Sequence, residues 1–409
     1  MKILVLSHRV PFPPNKGEKI RTFHQIKRLK ELDYELHLLA PLELNEELAF
    51  FKHLSESFFK SVIYERLPNK LIRLLKGFFK GQPMSVANFY VPAMQDKMDE
   101  LLKQQQFDAI ICTASSMAEY VFNSQSLADC SSPPLLIMDF MDVDSDKWGQ
   151  YKQNTLFPFS WVYAREQRLL ARYEKQIANK FDACYLIAQA EVDLFKQHVA
   201  NADNVHVLGN GMDCKTFHPA LNKGSNPNPV FLFTGVMDYK PNVDAVVWFV
   251  ENCWRTICDK YPGAKFVIAG MNPNNEVTKL TNRQGIEVTG YVDDILPYYH
   301  SADIFIAPFR LARGVQNKIL QAFSCGLAVI TTPMGAEGII CEQGHDVLLA
   351  LQANDFVQQV DILLNNPELA KAMGKNARRL IEQHYSWEGQ LQPLINLLDQ
   401  NRIIDEASH

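Results

Sequence analysis

What is scarce in this 409-residue chain narrows it quickly. Its eight cysteines include no Cys-x-x-Cys pair, and most lie in apolar runs such as Ile110-Ile111-Cys112. That pattern speaks against a disulfide scaffold or a zinc framework and for buried free thiols in a reducing compartment. No apolar run approaches the ~20 residues that a membrane span needs. His8 and Arg9 interrupt the N-terminal stretch too early for the apolar core of a signal peptide, so the expected location is cytoplasmic. Neither sign of charge dominates: 41 Lys+Arg stand against 46 Asp+Glu, a net charge of −5. That balance gives no overall attraction to nucleic acid, and an anionic ligand has to be met by a local basic cluster. Repeats and low-complexity tracts are missing too.

What is present is a β/α rhythm. Short apolar runs at 3–6, 35–39, 109–112, 135–138, 183–187, 205–208, 230–233, 265–269, 287–289, 304–307, 328–331 and 347–350 predict strands. Most are separated by amphipathic stretches long enough for helices. Such alternation predicts mainly parallel sheets covered on both faces. Hydrophobic residues make up 47% of the chain, and its length suits two α/β domains of about 200 residues each. A run of turn formers, Asn222 to Pro229, reads as a linker or interdomain loop before a fresh strand.

Four motifs carry the chemistry. The first, Pro13-Pro14-Asn15-Lys16-Gly17-Glu18-Lys19-Ile20-Arg21, follows the first strand. A glycine there lets backbone approach a ligand, and a helix N-terminus offers free N–H groups to an anion. The second is Gly209-Asn210-Gly211-Met212-Asp213, then Phe217 and Pro219, a turn with a side-chain closure. The third, Phe233 to Asn242, places Lys240 beside the start of a helix at about Pro241, a cation and N–H donors suited to a diphosphate. The fourth, Ala307 to Gly326, is the densest: Arg310, Arg313 and Lys318 fall within nine positions without an acid. Lys318 and Gln321 are spaced to share a helix face.

Together these pieces resemble glycosyltransferase family four of the GT-B superfamily, along nearly the whole chain. The glycine loop and the segment Met138-Asp139-Phe140-Met141-Asp142-Val143-Asp144-Ser145-Asp146-Lys147-Trp148 resemble most closely the exosortase/PEP-CTERM-associated sugar transferases, which are linked to exopolysaccharide production. The resemblance implies an α/β GT-B architecture, two Rossmann-like domains with parallel sheets facing across a cleft. The expected boundaries are 1–210 for the acceptor domain, 211–385 for the nucleotide-sugar donor domain, and 386–409 for a C-terminal helix crossing back to the first domain.

The same resemblance implies roles. Lys240, Arg313 and Lys318 would stabilise the leaving diphosphate. Gly17, Arg310, Gly314 and Val315 would meet the donor, with Gln321 where the family usually carries a ribose-binding glutamate. Arg21, Asp139, Asp142, Asp144 and Lys147 would lie on the acceptor side. The family's two glutamates, separated by seven residues, are Arg313 and Gln321 here; a glutamine still hydrogen-bonds a hydroxyl, but without the negative charge. The arginine usual after the third motif's glycine is Val236, and a histidine usual in the first domain is missing at Cys112 to Met117.

The acidic run Asp142-x-Asp144-x-Asp146 leaves alternatives open: helix capping, acceptor contact, or a metal. It is not an EF-hand loop, which would need glycine at Lys147 and glutamate at Gln153. The expectation is no cofactor and no required metal, with the nucleotide diphosphate sugar as substrate.

Leu67 to Gln82 predicts a basic amphipathic helix. Leu71, Leu74, Leu75, Phe78 and Phe79 follow i, i+3, i+4 spacing, with Lys70, Arg73, Lys76 and Lys80 on the other arc and no acid between. Such a helix suits an anionic membrane surface, here the inner face of the cytoplasmic membrane; a packed helix with a solvated basic face is the alternative. The expected function is a glycosyltransferase of the hexosyl class, retaining, moving sugar to a glycan or lipid-linked acceptor in exopolysaccharide or cell-surface glycan synthesis. Two other readings stand beside it: a catalytically weak sugar-nucleotide-binding scaffold, and a sugar-nucleotide epimerase.

Overall fold

The computed structural model describes every residue except 15, 16, 154, 155, 200, 201, 222, 223, 225, 313, 314, 408 and 409. It separates into two compact units. One holds Met1–Asn210 and the chain from Gln390 onward; the other is Gly211–Gly389. The return to the first unit thus falls after Gly389, four residues later than the 385/386 boundary expected from the sequence.

The first unit is built on a seven-stranded sheet in the order β3-β2-β1-β4-β5-β6-β7. The strands are β1 Lys2–Ser7, β2 Glu35–Leu39, β3 Ser61–Ile63, β4 Ala109–Thr113, β5 Leu135–Met141, β6 Ala183–Leu186 and β7 Val205–Val207. The second unit has six strands in the order β10-β9-β8-β11-β12-β13. These are β8 Val230–Thr234, β9 Lys265–Ala269, β10 Ile286–Gly290, β11 Ile304–Ala307, β12 Ala328–Thr331 and β13 Leu348–Leu349. Every pairing between these strands is parallel. The α/β expectation of two Rossmann-like parallel sheets is what the chain adopts. All twelve apolar runs became strands. β3 was not expected, because Ser61-Val62-Ile63 is a three-residue, half-buried edge strand with too little apolar signal.

The central strands are buried on both faces. Leu4, Leu6, Ile110 and Cys112 join one side of the first core, while Ile3, Val5 and Ile111 are buried on the other. This explains why the strands read as continuous apolar runs rather than alternating ones. The last helix, Gln392–Ala407, belongs to the first unit: Tyr34 donates its hydroxyl to Asp399 (2.9 Å), and Leu394 and Leu398 are buried.

The Asn210-Gly211 motif marks the break between units. Asp213 Oδ1 accepts from the amides of Lys215 (3.0 Å) and Thr216 (3.1 Å), closing the turn that follows. A Cβ at Gly211 would lie 2.5 Å from Trp387, so only glycine fits there. In both units the strand order reverses beside the first strand, between β1 and β4 and between β8 and β11. Loops leaving such neighbours part in opposite directions, and ligands of open α/β sheets bind at that crevice.

Candidate active-site pockets

Each unit holds a pocket at the carboxyl ends of its strands. In the second unit a cavity of about 900 Å³ is lined from the end of β8 (Thr234, Gly235, Val236), the end of β9 (Gly270) and the segment Val315 to Lys318 with Gln321. Its backbone is drawn close. A Cβ on Gly270 would sit 1.8 Å from the Gly235 carbonyl oxygen, and Gly270 has a φ of +147°.

Lys318 is the one cation among the described residues lining this pocket. It stands in the first turn of the helix Asn317–Ser324, where unpaired N–H groups add positive character. Its Nζ donates to Asn242 Oδ1 (3.0 Å) and lies over the rings of Phe309 (4.9 Å) and Phe233 (5.7 Å). Asn242 is fixed in turn by donating to the Val236 carbonyl (2.9 Å). No carboxylate pairs with Lys318 among the described residues. Burial pulls its pKa down from the usual lysine value of 10.5 to about 8.

Gln321 lines the same pocket, and its Oε1 accepts from the Tyr299 hydroxyl at 2.9 Å. Tyr299 also bonds Thr234 Oγ1 (2.7 Å), and burial pushes its pKa far up, so it stays a neutral phenol. Val315 lines the pocket and is exposed. Two expected donor residues are not brought to it. Lys240 opens the helix Lys240–Phe249 but is solvent-exposed and does not line the cavity. Arg310 forms a two-point bond with Asp244 (Nε at 3.1 Å) and lies over Trp248 (5.6 Å), so its charge is already matched outside the pocket. Arg313 and Gly314 lie outside the described residues.

In the first unit a cavity of about 550 Å³ opens at the ends of β1, β4 and β5. Gly17, Arg21, Asp142, Asp144 and Lys147 all line it. Arg21 and Asp139 are its foundation rather than its reactive groups. Both are 1% exposed, joined by two bonds of 2.7 and 2.8 Å, with Gln25 also donating to Asp139 (2.5 Å) and Arg21 to Asn210 (3.1 Å). Asp139 does not line the cavity. Buried at the foundation and paired with Arg21, it is not placed to meet an acceptor, which differs from its expected place on the acceptor side.

Asp142 and Asp144 do face the cavity. Lys147 bonds Asp142 at 2.6 Å, and Ser115 donates to Asp144 at 2.9 Å. Burial raises the Asp144 pKa, against the opposing pull of Lys147 and Ser115. Burial alone would lower the Lys147 pKa, but its bond to Asp142 and the charges of Asp142, Asp144 and Glu191 hold it above the ordinary value. Asp146 instead takes a bond from Gln150 (2.6 Å) and is no partner to the other two. Among the described residues no cluster of three or more His, Cys, Asp or Glu is arranged for a metal ion.

Several lining residues escaped the sequence reading. His8 directly follows β1. Its Nδ1 lies 3.0 Å from the Thr113 carbonyl, which can only accept, so Nδ1 carries the proton. Burial lowers its pKa to about 4, leaving a neutral ring at pH 7. Arg9 Nε and Ser85 Oγ are buried without a hydrogen-bond partner among the described residues, and both belong to residues lining the cavity. Trp148 and Tyr151 form an aromatic wall, their ring centres 5.9 Å apart. The backbone here is strained as well: Ala114 and Met141, both lining residues, have φ of 89° and 69°. Such positions cost about 1–3 kcal/mol each and cluster at functional sites. The legible signal was position, because His8 and Arg9 are the first polar residues past a strand's carboxyl end.

The Lys70–Phe79 helix forms as expected, capped by Asn69, which accepts from Leu71 N (2.9 Å). Its faces differ from the expectation. Gly77 packs against Ala87 of the helix Met84–Phe89, and that contact turns Leu74, Phe78 and Arg73 inward. Arg73 reaches the Asn88 carbonyl, and Phe78 lies beneath the Arg165 guanidinium (4.6 Å). Leu74, Phe78 and Arg73 are therefore packing residues. The outward face carries Leu71, Ile72, Leu75 and Phe79, the last 82% exposed, flanked by Lys76 and Lys80. Lys70 is exposed as well.

The geometry of the second unit agrees with what comparison finds. Residues 228–366 match the family model described as Glycosyl transferases group 1. The second unit carries a glycosyl transferases group 1 domain. The chain is accordingly a transferase enzyme. An uncharacterized 44.6 kDa protein of the cps region of Klebsiella pneumoniae is 22% identical over 399 residues, 94% of this chain and 96% of that protein. The UDP-Gal:alpha-D-GlcNAc-diphosphoundecaprenol alpha-1,3-galactosyltransferase of Escherichia coli is 26% identical over 198 residues, covering 43% of this chain and 49% of the galactosyltransferase. Among solved structures, Anabaena Alr3699/HepE in complex with UDP superposes with a TM-score of 0.63 at 15% identity, covering 98% of this chain and all of that one. WaaG, a glycosyltransferase involved in lipopolysaccharide biosynthesis, gives 0.55 at 13% identity over 96% of this chain and 98% of WaaG. At these identities the structures show the fold, which is that of GT-B glycosyltransferases.

Proposed function

We propose that this transferase moves a glycosyl residue from a nucleoside diphosphate sugar, held in the second-unit pocket, to a hydroxyl of a lipid-linked glycan received by the first-unit pocket. The observation that carries the reading is Lys318: a largely buried cation at a helix start, over two aromatic rings, with no carboxylate partner among the described residues. Leaving a charge so placed without an anion is costly, and a diphosphate supplies one. The UDP bound by HepE and the lipid-diphosphate acceptor named for the Escherichia coli relative support the two substrates. A role in exopolysaccharide or other cell-surface glycan assembly follows the cps-region relative and the resemblance to the exosortase/PEP-CTERM-associated transferases. The same resemblance supports retention of configuration and a reaction without a resident metal.

The chemistry needs little beyond placement. Negative charge grows on the diphosphate as the glycosidic bond breaks, and the Lys318 ammonium with the N–H groups of its helix stabilises it. Gln321 offers an amide to the nucleotide. Arg313 and Gly314, next in the chain, are assigned to the same task. On the acceptor side His8, whose Nε2 has no hydrogen-bond partner among the described residues, and Asp142 are groups able to accept a hydroxyl hydrogen.

A pH test follows from Lys318. Only its charged form attracts the diphosphate, so UDP affinity falls as pH rises above about 8, and binding near that pH draws in a proton. Calorimetry from about pH 7 to about pH 9.5 in buffers of different ionisation enthalpy reads both. Lys318→Arg, always charged, abolishes the dependence. Affinity flat across that range in the wild type would remove Lys318 from the site. The linkage to stability has the opposite sense. The folded pKa lies below the unfolded one, so the burial penalty is full below about 8 and fades as pH rises to 10.5.

The exposed arc of the Lys70–Phe79 helix is assigned to an anionic bilayer surface, with attachment peripheral. Among the described residues no helix is long and apolar enough to cross a membrane. Leu75→Asp/Phe79→Asp should weaken flotation with phosphatidylglycerol-containing vesicles about tenfold or more and leave the melting temperature unchanged. Phe78→Asp should lower the melting temperature instead, because Phe78 packs on Trp161 and Arg165. Equal flotation of the double variant and wild type would sink the assignment.

A further inference from the structure

The helices Asp144–Gln153 and Phe159–Lys180 pack as a hairpin. Glu174 on the second accepts from Ser145 N (2.9 Å) and Ser145 Oγ (2.5 Å) at the start of the first, and Trp148 and Tyr163 pack ring to ring at 5.4 Å. One end of this hairpin is the pocket, where Asp142, Asp144, Lys147, Trp148 and Tyr151 are lining residues. The other end is conspicuously apolar. Leu156 and Phe157 are 87% and 82% exposed, and Phe159 and Trp161 are exposed beside them. Four large apolar side chains exposed within six residues are the kind of feature that marks an interaction surface.

The patch is not alone. Trp161 packs on Phe78 (6.1 Å), and Arg165 ties the two helices together by donating to the carbonyls of Phe78 (3.0 Å) and Gln82 (3.3 Å). Trp161 and Arg165 thus join the Phe159–Lys180 helix to the Lys70–Phe79 helix, whose outward face is apolar as well. Lys70, Lys76 and Lys80 beside it have no ion pair among the described residues, and no acid lies between Arg66 and Lys80. Arg168 and Arg172 extend the exposed basic side. A protein partner would need to match aromatics, aliphatics and lysines individually. An anionic bilayer interface meets all three at once, with aromatic rings at headgroup depth and lysines on lipid phosphates.

We propose that the hairpin is a membrane-dipping arm of the acceptor site. Its turn, Leu156, Phe157, Phe159 and Trp161, enters the interface of an anionic bilayer beside the Lys70–Phe79 helix. Its aromatic wall, Trp148 and Tyr151, leads the head of a lipid-linked sugar from that interface to the pocket. The proposal rests on the reading of the acceptor as lipid-linked, and it adds where the lipid meets the protein. Trp148 and Tyr151 offer the flat faces on which sugar rings pack.

The test uses the full chain, Leu156→Ser/Phe157→Ser, and vesicles of phosphatidylglycerol with phosphatidylethanolamine, with phosphatidylcholine vesicles as the neutral control. Both side chains are solvent-exposed, so melting temperature and UDP binding should match the wild type. Flotation with anionic vesicles should fall about tenfold or more, and flotation with phosphatidylcholine should be weak for both proteins. Hydrogen exchange of the wild type on anionic vesicles should slow at 156–166 as well as at 70–80. A double variant that floats like the wild type, or exchange that slows at 70–80 alone, overturns the proposal while leaving the lipid-linked acceptor intact. Failure of the wild type to float also overturns it. The acceptor reading itself fails separately, if sugar transfers to a water-soluble glycan but never to a membrane lipid extract.

Discussion

Replacing Lys318 by alanine lowers turnover about 10²–10³-fold, the usual effect of removing one preorganised donor from a developing oxyanion. The size of the effect follows from the surroundings. Lys318 is the one cation among the described residues lining its pocket, so no other described charge there can substitute. Arg310, from the same motif, is held by Asp244. Gln321→Ala should act differently, raising the donor KM with a smaller change in kcat, because a neutral amide contributes comparably to ground and transition states. Arg313→Ala is expected to resemble Lys318→Ala. Steady-state kinetics with saturating donor separates the two patterns. Near-normal turnover in Lys318→Ala would show that the leaving group is stabilised elsewhere.

Asp139→Ala should destabilise the first unit by about 3–5 kcal/mol, because it strands the buried Arg21 guanidinium. For a unit of this size that is a fall in melting temperature of roughly 10 °C. The effect is on folding rather than chemistry: Asp139 does not line the cavity, and its oxygens are held by Arg21 and Gln25. Replacing both partners, as in Arg21→Met/Asp139→Leu, should recover much of the loss, since no charge is then left unpaired. Thermal unfolding followed by circular dichroism reads both. An Asp139→Ala variant that melts within a degree or two of the wild type would mean that water reaches Arg21.

The two effects divide the motif residues in a way that the sequence could only partly foresee. Parallel strands announce themselves as continuous apolar runs, so twelve strands were legible and only the edge strand Ser61–Ile63 was not. Position after a strand was legible too, which is why Gly17, Arg21, Asp142, Lys147, Val315, Lys318 and Gln321 all line one pocket or the other. Partnership was not legible. Nothing local in the sequence says that Arg21 spends its charge on Asp139, 118 positions away, or Arg310 on Asp244, 66 positions back. Lys240 looked suitable because it begins a helix, yet the same geometry leaves it in solvent. The amphipathic helix shows the same limit. Helical spacing gave the element, but the Gly77–Ala87 contact decided which arc turned inward.

The central claim is sugar transfer from a nucleoside diphosphate at Lys318. It is tested most directly by incubating the full chain and Lys318→Ala with UDP-, GDP- and ADP-sugars plus a membrane lipid extract, and measuring released nucleoside diphosphate and glycosylated lipid together. At least one donor is expected to give both products in equal amounts with the wild type, at a rate about 10²–10³ times that of Lys318→Ala. Binding of donors without turnover across the whole panel would contradict it, and would favour a sugar-nucleotide-binding scaffold.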